Sequence, residues 1–203
     1  MRRNITILAV LTLCSALSVA GPLSFGVQAT GGGISVAGSF KDVYSSGFGG
    51  GAHIDLDLPV LLSLRLSGDY VVFSPDQDKY RQALATLLPG NSASGFTIDG
   101  GKINILAFSL NGKVALPTPV LSPYLTAGVG TATFSGGSIS VSYNGQPLGN
   151  TPGVPTETDA SVNVGAGVDW KLVLTLYLEV KYTVAFTSGS SSSFTMASLG
   201  ITF

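Results

Sequence analysis

The chain has 203 residues, enough for one domain, and only 10% of them are charged, against about 25% in an ordinary soluble domain. Mean hydropathy is +0.44 although the apolar fraction is an ordinary 45%, so what stands out is missing surface charge. A formal net charge of −1 excludes the basic footprint of a nucleic-acid binder.

The first twenty residues, "MRRNITILAVLTLCSALSVA", read as a cleaved secretory signal. Arg2 and Arg3 form the basic start, Ile5 to Leu13 the apolar run, and Ser18-Val19-Ala20 the small-residue cleavage site. The run is too short for a transmembrane helix, which needs about 20 apolar residues. Its removal leaves 8 basic residues against 11 acidic ones. The single cysteine, Cys14, lies inside the signal, and Leu13 before it does not fit a lipoprotein site. The remainder, 21–203, is then one exported domain without disulfides, stabilised by other means such as a closed sheet.

Eight segments with strand periodicity follow. Alternation is weak at 22–30 and 45–57, then strong in "LSLRLSGDYVV" (62–72). There Leu62, Leu64, Leu66, Tyr70 and Val72 oppose Ser63, Arg65, Ser67 and Asp69. The pattern recurs at 102–116 and 122–134. In "SVNVGAGVDWK" (161–171), Val162, Val164, Ala166, Val168 and Trp170 share one face. In "LTLYLEVKYTVAF" (174–186) the apolar face runs from Leu174 to Phe186, and Glu179 and Lys181 lie opposite. The last segment, 194–203, ends on Phe203. Each is about the 9–11 residues of a tilted membrane strand, or slightly longer.

The connections alternate in length. "DLPVL", "PTPVL" and Leu172-Val173 are short, whereas 31–44, 75–101, 135–160 and 187–193 are long. Short turns at one rim and long loops at the other predict an all-β fold, an eight-stranded antiparallel up-and-down transmembrane barrel with both termini on the short-turn side.

Two long loops carry local signals. In "SPDQDKYRQALATLLPG", Ser74 is expected as N-cap, Pro75 at the first helical position, and Gln77 in a capping box. Tyr80, Ala83, Leu84, Leu87 and Leu88 then follow helical spacing until Pro89-Gly90. The third loop holds Asn144-Gly145 after the alternating Ser138 to Tyr143, a hairpin signal that extends the strand at 122–134 beyond the membrane. The Pro-rich stretch after it is not expected to make a continuous partner strand.

Periodicity does not decide which face is inside, since a soluble calycin-like ligand binder also has eight strands. The polar faces favour a membrane barrel: they carry Gly, Ser, Thr and Asn, with few charges of mixed sign. The lumen network is expected from Asp55, Arg65, Asp69, Lys113, Asp169, Lys171, Glu179 and Lys181, with Asp55 meeting Arg65 across the short turn. An eight-stranded interior is barely wider than its own side chains, so these charges read as ion-pair staples before a gateable pore. Phe108, Trp170, Phe186 and Phe203 are placed in interfacial aromatic girdles.

Catalysis and metal binding find little support. His53, Asp55 and Asp57 share a face, but two of four ligands are unidentified. His53 is also the only histidine, with no nucleophile motif beside it and nothing resembling a lipid A deacylase signature. Gly47-x-Gly49-x-x-Ala52 lacks the strand–turn–helix context of a dinucleotide loop. No enzyme activity and no cofactor are expected.

The signal peptide, "PYLTAGVGTATF" (123–134), "VNVGAGVDWKL" (162–172) and the terminal "SLGITF" together resemble the small eight-stranded outer-membrane barrels of the OmpA-like and OmpX-like kind. The resemblance implies a last strand that pairs with the first, and Phe203 as the mark read by the outer-membrane assembly machinery. A monomer in outer-membrane lipid of a Gram-negative-type envelope is expected, and a peptidoglycan-anchoring role is not implied. The leading expectation is a structural or interaction role through the long surface loops. A narrow, porin-like channel for small solutes is the alternative, and a secreted soluble barrel the weaker one.

Overall fold

The computed structural model describes residues 23–35, 44–58, 61–87, 92–153, 155–187 and 190–203. The signal at 1–20, the turn centre Pro59-Val60 and the Pro89-Gly90 stop lie outside the described residues.

Eight strands close an antiparallel barrel: β1 (Leu23–Ser35), β2 (Tyr44–Asp57), β3 (Leu62–Pro75), β5 (Ile103–Ala115), β6 (Leu121–Gly136), β9 (Glu157–Lys171), β10 (Thr175–Thr187) and β11 (Ser190–Thr202). Each pairs with its neighbour in this order, and β11 returns to β1. At the seam Phe203 N–H donates to Phe25 O at 2.8 Å, and Phe25 N–H donates back to Phe203 O at 3.4 Å. Closure leaves no strand edge in lipid, where an unpaired backbone group has no water to bind.

Most staves outrun the segments expected for them, although β5 lies within the expected 102–116 and β10 keeps the expected length. β5 alone has 13 residues, about 43 Å of extended chain, which at a tilt near 40° outreaches an apolar band about 25 Å tall. β1, β3, β6 and β9 all run into segments expected as loop. Ladder pairing continues beyond the membrane because neighbouring staves supply hydrogen-bond partners even where the apolar alternation fades.

The outer face is the greasy one. On β10, Leu178, Val180, Tyr182 and Phe186 are exposed, while Glu179, Lys181 and Thr183 are buried. A soluble barrel has the reverse arrangement, so this surface requires a lipid solvent. No described helix is long and apolar enough to cross a membrane; the strands do so.

Above the long-loop rim stands a second unit. It comprises β4 (Phe96–Gly100), β7 (Ile139–Tyr143), β8 (Gln146–Thr151) and α1 (Gln77–Leu87), with the three strands in the order β4-β7-β8. The hairpin signal produced this sheet rather than an extension of the strand at 122–134. Asn144 (φ 47°) and Gly145 (φ 80°) make its turn in the left-handed region. The stretch after the turn does form a partner strand, β8, contrary to expectation. Pro147 is accommodated beside a register shift between Val141 and Ser142.

The helix also starts later than its sequence suggests. Pro75 still pairs with Tyr44 as the last residue of β3, and Asp76 is the cap: its Oδ1 accepts from the N–H groups of Asp78 (3.1 Å) and Lys79 (3.2 Å). Gln77 Nε2 reaches out to Ile98 O at 3.0 Å and ties the helix to β4. Phe96 and Ile98 are fully buried, and the Phe96 ring packs at a tilt against that of Tyr143, with centres 4.9 Å apart.

Candidate functional site

The short turn between β2 and β3 sets the register that places Asp55 directly opposite Arg65. Arg65 donates through Nε to Asp55 Oδ1 (2.7 Å), through Nη2 to Asp55 Oδ2 (2.8 Å), and through Nη1 to Glu179 Oε2 (3.1 Å) across the lumen. Its guanidinium carbon lies 5.3 Å from the Tyr177 ring centre and 5.9 Å from that of Tyr124. Tyr124 O–H also donates to Glu179 Oε2 at 3.0 Å.

Two more pairs complete this layer. Lys113 Nζ meets Asp169 Oδ2 at 2.7 Å, and Lys181 Nζ meets Asp69 Oδ2 at 3.2 Å and Glu179 Oε1 at 3.8 Å. Tyr177 O–H donates to Gln28, and the Gln28 amide donates to Asp69. His53 Nδ1 lies 3.3 Å from Tyr177 Oη, and Nε2 lies 3.2 Å from Thr202 Oγ1. All of these charged side chains are buried, and each carboxylate has at least one cationic partner.

Glycines on the lumen face make room for the rings. A Cβ at Gly26 would strike the His53 ring, one at Gly167 the Tyr124 ring, and one at Gly200 the Tyr177 ring. The small residues that signalled a narrow lumen are therefore the sockets of its large ones.

Of the eight charges expected here, seven come together and Lys171 does not. It sits exposed at the short-turn rim, where it helps line an open vestibule of about 300 Å³ with Asp57, Leu58 and Leu61. No ion pair reaches Lys171 among the described residues; Asp57, also at the rim, accepts from Ser63 Oγ at 2.6 Å. Among the expected girdle aromatics, Trp170 and Phe186 stand exposed near opposite strand ends. Phe108 is instead mid-strand on β5, opposite Gly68, whose missing side chain leaves space for its ring.

The lumen is not polar throughout. Toward the long-loop rim the inward positions become apolar: Val71 and Phe73 on β3, Ile103 and Ile105 on β5, and Phe194 and Met196 on β11 pack together. Phe134 meets Phe194 edge-on at 6.3 Å. Periodicity alone did not reveal this layer, because these positions read as irregular alternation near strand ends. Tyr124 and Tyr177 were also missed, although Tyr177 lies on the polar face of its segment. The lumen thus holds an ionic layer on the short-turn side and a dry layer above it.

This geometry meets its relatives at the level of fold and family. Residues 6–203 match the family model described as the outer membrane protein beta-barrel domain, and the chain belongs to that family. It is an outer-membrane barrel protein. The fold is similar to that of a major outer membrane protein from Thermus thermophilus (TM-score 0.56, 14% identity, 90% of this chain and 99% of that one). It is also similar to Neisserial surface protein A (0.54, 13%, 90% and 96%) and to the outer membrane enzyme PagL (0.53, 16%, 88% and 98%). No match was found among curated protein sequences.

Proposed function

We propose that this protein is a closed, non-catalytic outer-membrane barrel that serves as a platform, holding the unit of α1, β4, β7 and β8 at the surface for a partner. The observation that carries the reading is the double closure of the lumen. Its charges are engaged with one another, and the apolar layer above them offers water no partners. The surface unit is tied to the barrel rather than trailing from it: Gly101 N–H donates to Ser138 O at 3.0 Å, Gly137 N–H donates to Lys102 O at 2.9 Å, and Tyr44 O–H donates to Gly101 O at 2.8 Å. The chain's one histidine is engaged by Tyr177 and Thr202 inside the lumen, which supports a role without catalysis.

Planar-bilayer recording tests this reading against a solute channel. The wild type is expected to pass no resolved current. Phe73→Ala with Phe194→Ala, which opens the dry layer alone, is also expected to stay silent. Adding Arg65→Ala to those two is expected to produce conductance. Discrete single-channel steps from the wild-type barrel would overturn the platform reading in favour of transport.

A further inference from the structure

The two ends of the barrel carry different surfaces. The three short connections, 58–61, 116–120 and 172–174, contain no charged residue and, apart from Thr118, are built from leucine, valine and proline. Turns that face water favour Gly, Asn, Asp and Ser instead. Leu61, Leu116, Val120 and Leu172 are about half exposed, and Val173 is fully exposed. Beside them Leu62, Leu121 and Leu174 are exposed as well, so the outward apolar face runs into the turns without a polar break. At the long-loop end the outward positions change to hydroxyls, with Thr131, Thr158, Ser191 and Thr195 exposed, and α1 carries Asp78, Lys79 and Arg81.

The height of the apolar belt gives this asymmetry a meaning. On β5 the exposed apolar side chains run from Leu106 to Val114, and on β6 from Leu121 to Val129, with Asn104 and Thr131 next toward the long loops. Eight residue steps are about 27 Å of extended chain, or about 20 Å along the membrane normal at a tilt near 40°. That is less than an apolar band about 25 Å tall, and the turns supply the missing depth. We infer that the three short turns are a lipid-docking surface: they lie immersed in the bilayer, the vestibule opens among lipid headgroups, and the barrel meets water on its long-loop side. The occupant is phospholipid rather than a protein, because the turn surface continues the lipid-facing belt. A patch that docks a partner in water is instead rimmed by polar residues. Asp57 and Lys171, the charges nearest the turns, both line the vestibule and leave the outer wall uncharged. Trp170 stands exposed at this end, where an indole suits the membrane interface. This inference concerns the short-turn rim and does not depend on what the surface unit binds.

The test places single cysteines in the full chain carrying Cys14→Ser, since Cys14 is its one cysteine. Val173→Cys, Leu125→Cys and Gly149→Cys are each labelled with a small fluorophore, and the barrel is reconstituted in phosphatidylcholine vesicles. Leu125 is exposed on the belt, and a Cβ at Gly149 on β8 meets nothing within 4 Å, so these two positions mark lipid and water. Quenching by nitroxide-labelled lipid is compared with quenching by iodide supplied on both sides of the membrane. The label at 173 is expected to follow the one at 125, with strong quenching by the lipid nitroxide and an iodide constant several-fold below that at 149. Leu116→Cys should give the same result from a second turn. Iodide quenching at 173 and 116 as strong as at 149 would overturn the immersion and leave the rim as an apolar face for a protein partner in water. Protection from both quenchers would also overturn it, by showing a second copy seated on the rim.

Discussion

Arg65 donates from all three guanidinium nitrogens to two carboxylates and is flanked by the rings of Tyr124 and Tyr177. Removing it leaves Asp55 without its cation and Glu179 with only Tyr124 and a distant Lys181. Arg65→Met is therefore expected to cost about 3–5 kcal/mol, the usual consequence of breaking one side of a buried pair. Asp55→Asn in that background should cost much less than it does alone, because the carboxylate it removes has already lost its partner. A double-mutant cycle by urea unfolding in detergent checks this, and strictly additive losses would mean that the pair is not coupled. The sequence revealed the pair itself, since the short turn fixes 55 against 64 or 65. It did not reveal Glu179 as the third member. That contact crosses the lumen between strands 114 positions apart in the chain, and only closure brings them face to face.

At the scale of elements, α1 shows how a local signal is overruled by a neighbour. Ser74 and Pro75 have the chemistry to open a helix, but β3 keeps Pro75 in its ladder, and the start moves to Asp76. Asp76→Ala is expected to destabilise the helix by about 1 kcal/mol, as loss of an N-cap does. Limited proteolysis should then cut the surface unit faster, while the barrel's heat-dependent gel mobility is unchanged. Faster cleavage accompanied by loss of that mobility shift would show that the unit supports the barrel. The Asn144-Gly145 turn was legible because its residues suit positive φ. The sheet it joins was not, because β4 lies over forty residues upstream of the turn and carries no strand signal of its own.

For the whole molecule, the seam is the decisive feature. β11 pairs with β10 on one side and β1 on the other, and the backbone of Phe203 makes the last bonds of the ring. Those bonds need no aromatic side chain, so Phe203→Ala should fold in detergent as the wild type does. If the ring is what the assembly machinery reads, the same variant should accumulate less in outer membranes. Equal accumulation in cells would remove the recognition role and leave Phe203 as a girdle residue.

By itself the sequence determined the number of staves, the alternation of short turns and long loops, and which side chains share a face. Those properties follow from the two-residue period of a strand and from local turn chemistry. Alternation is symmetric under exchange of the two faces, so inside and outside rested on composition until the closed ring put the leucines in contact with lipid. The division of the lumen into an ionic layer and a dry layer was decided only by tertiary structure. Shear between tilted strands sets which inward residues share a level, and no single strand contains that information.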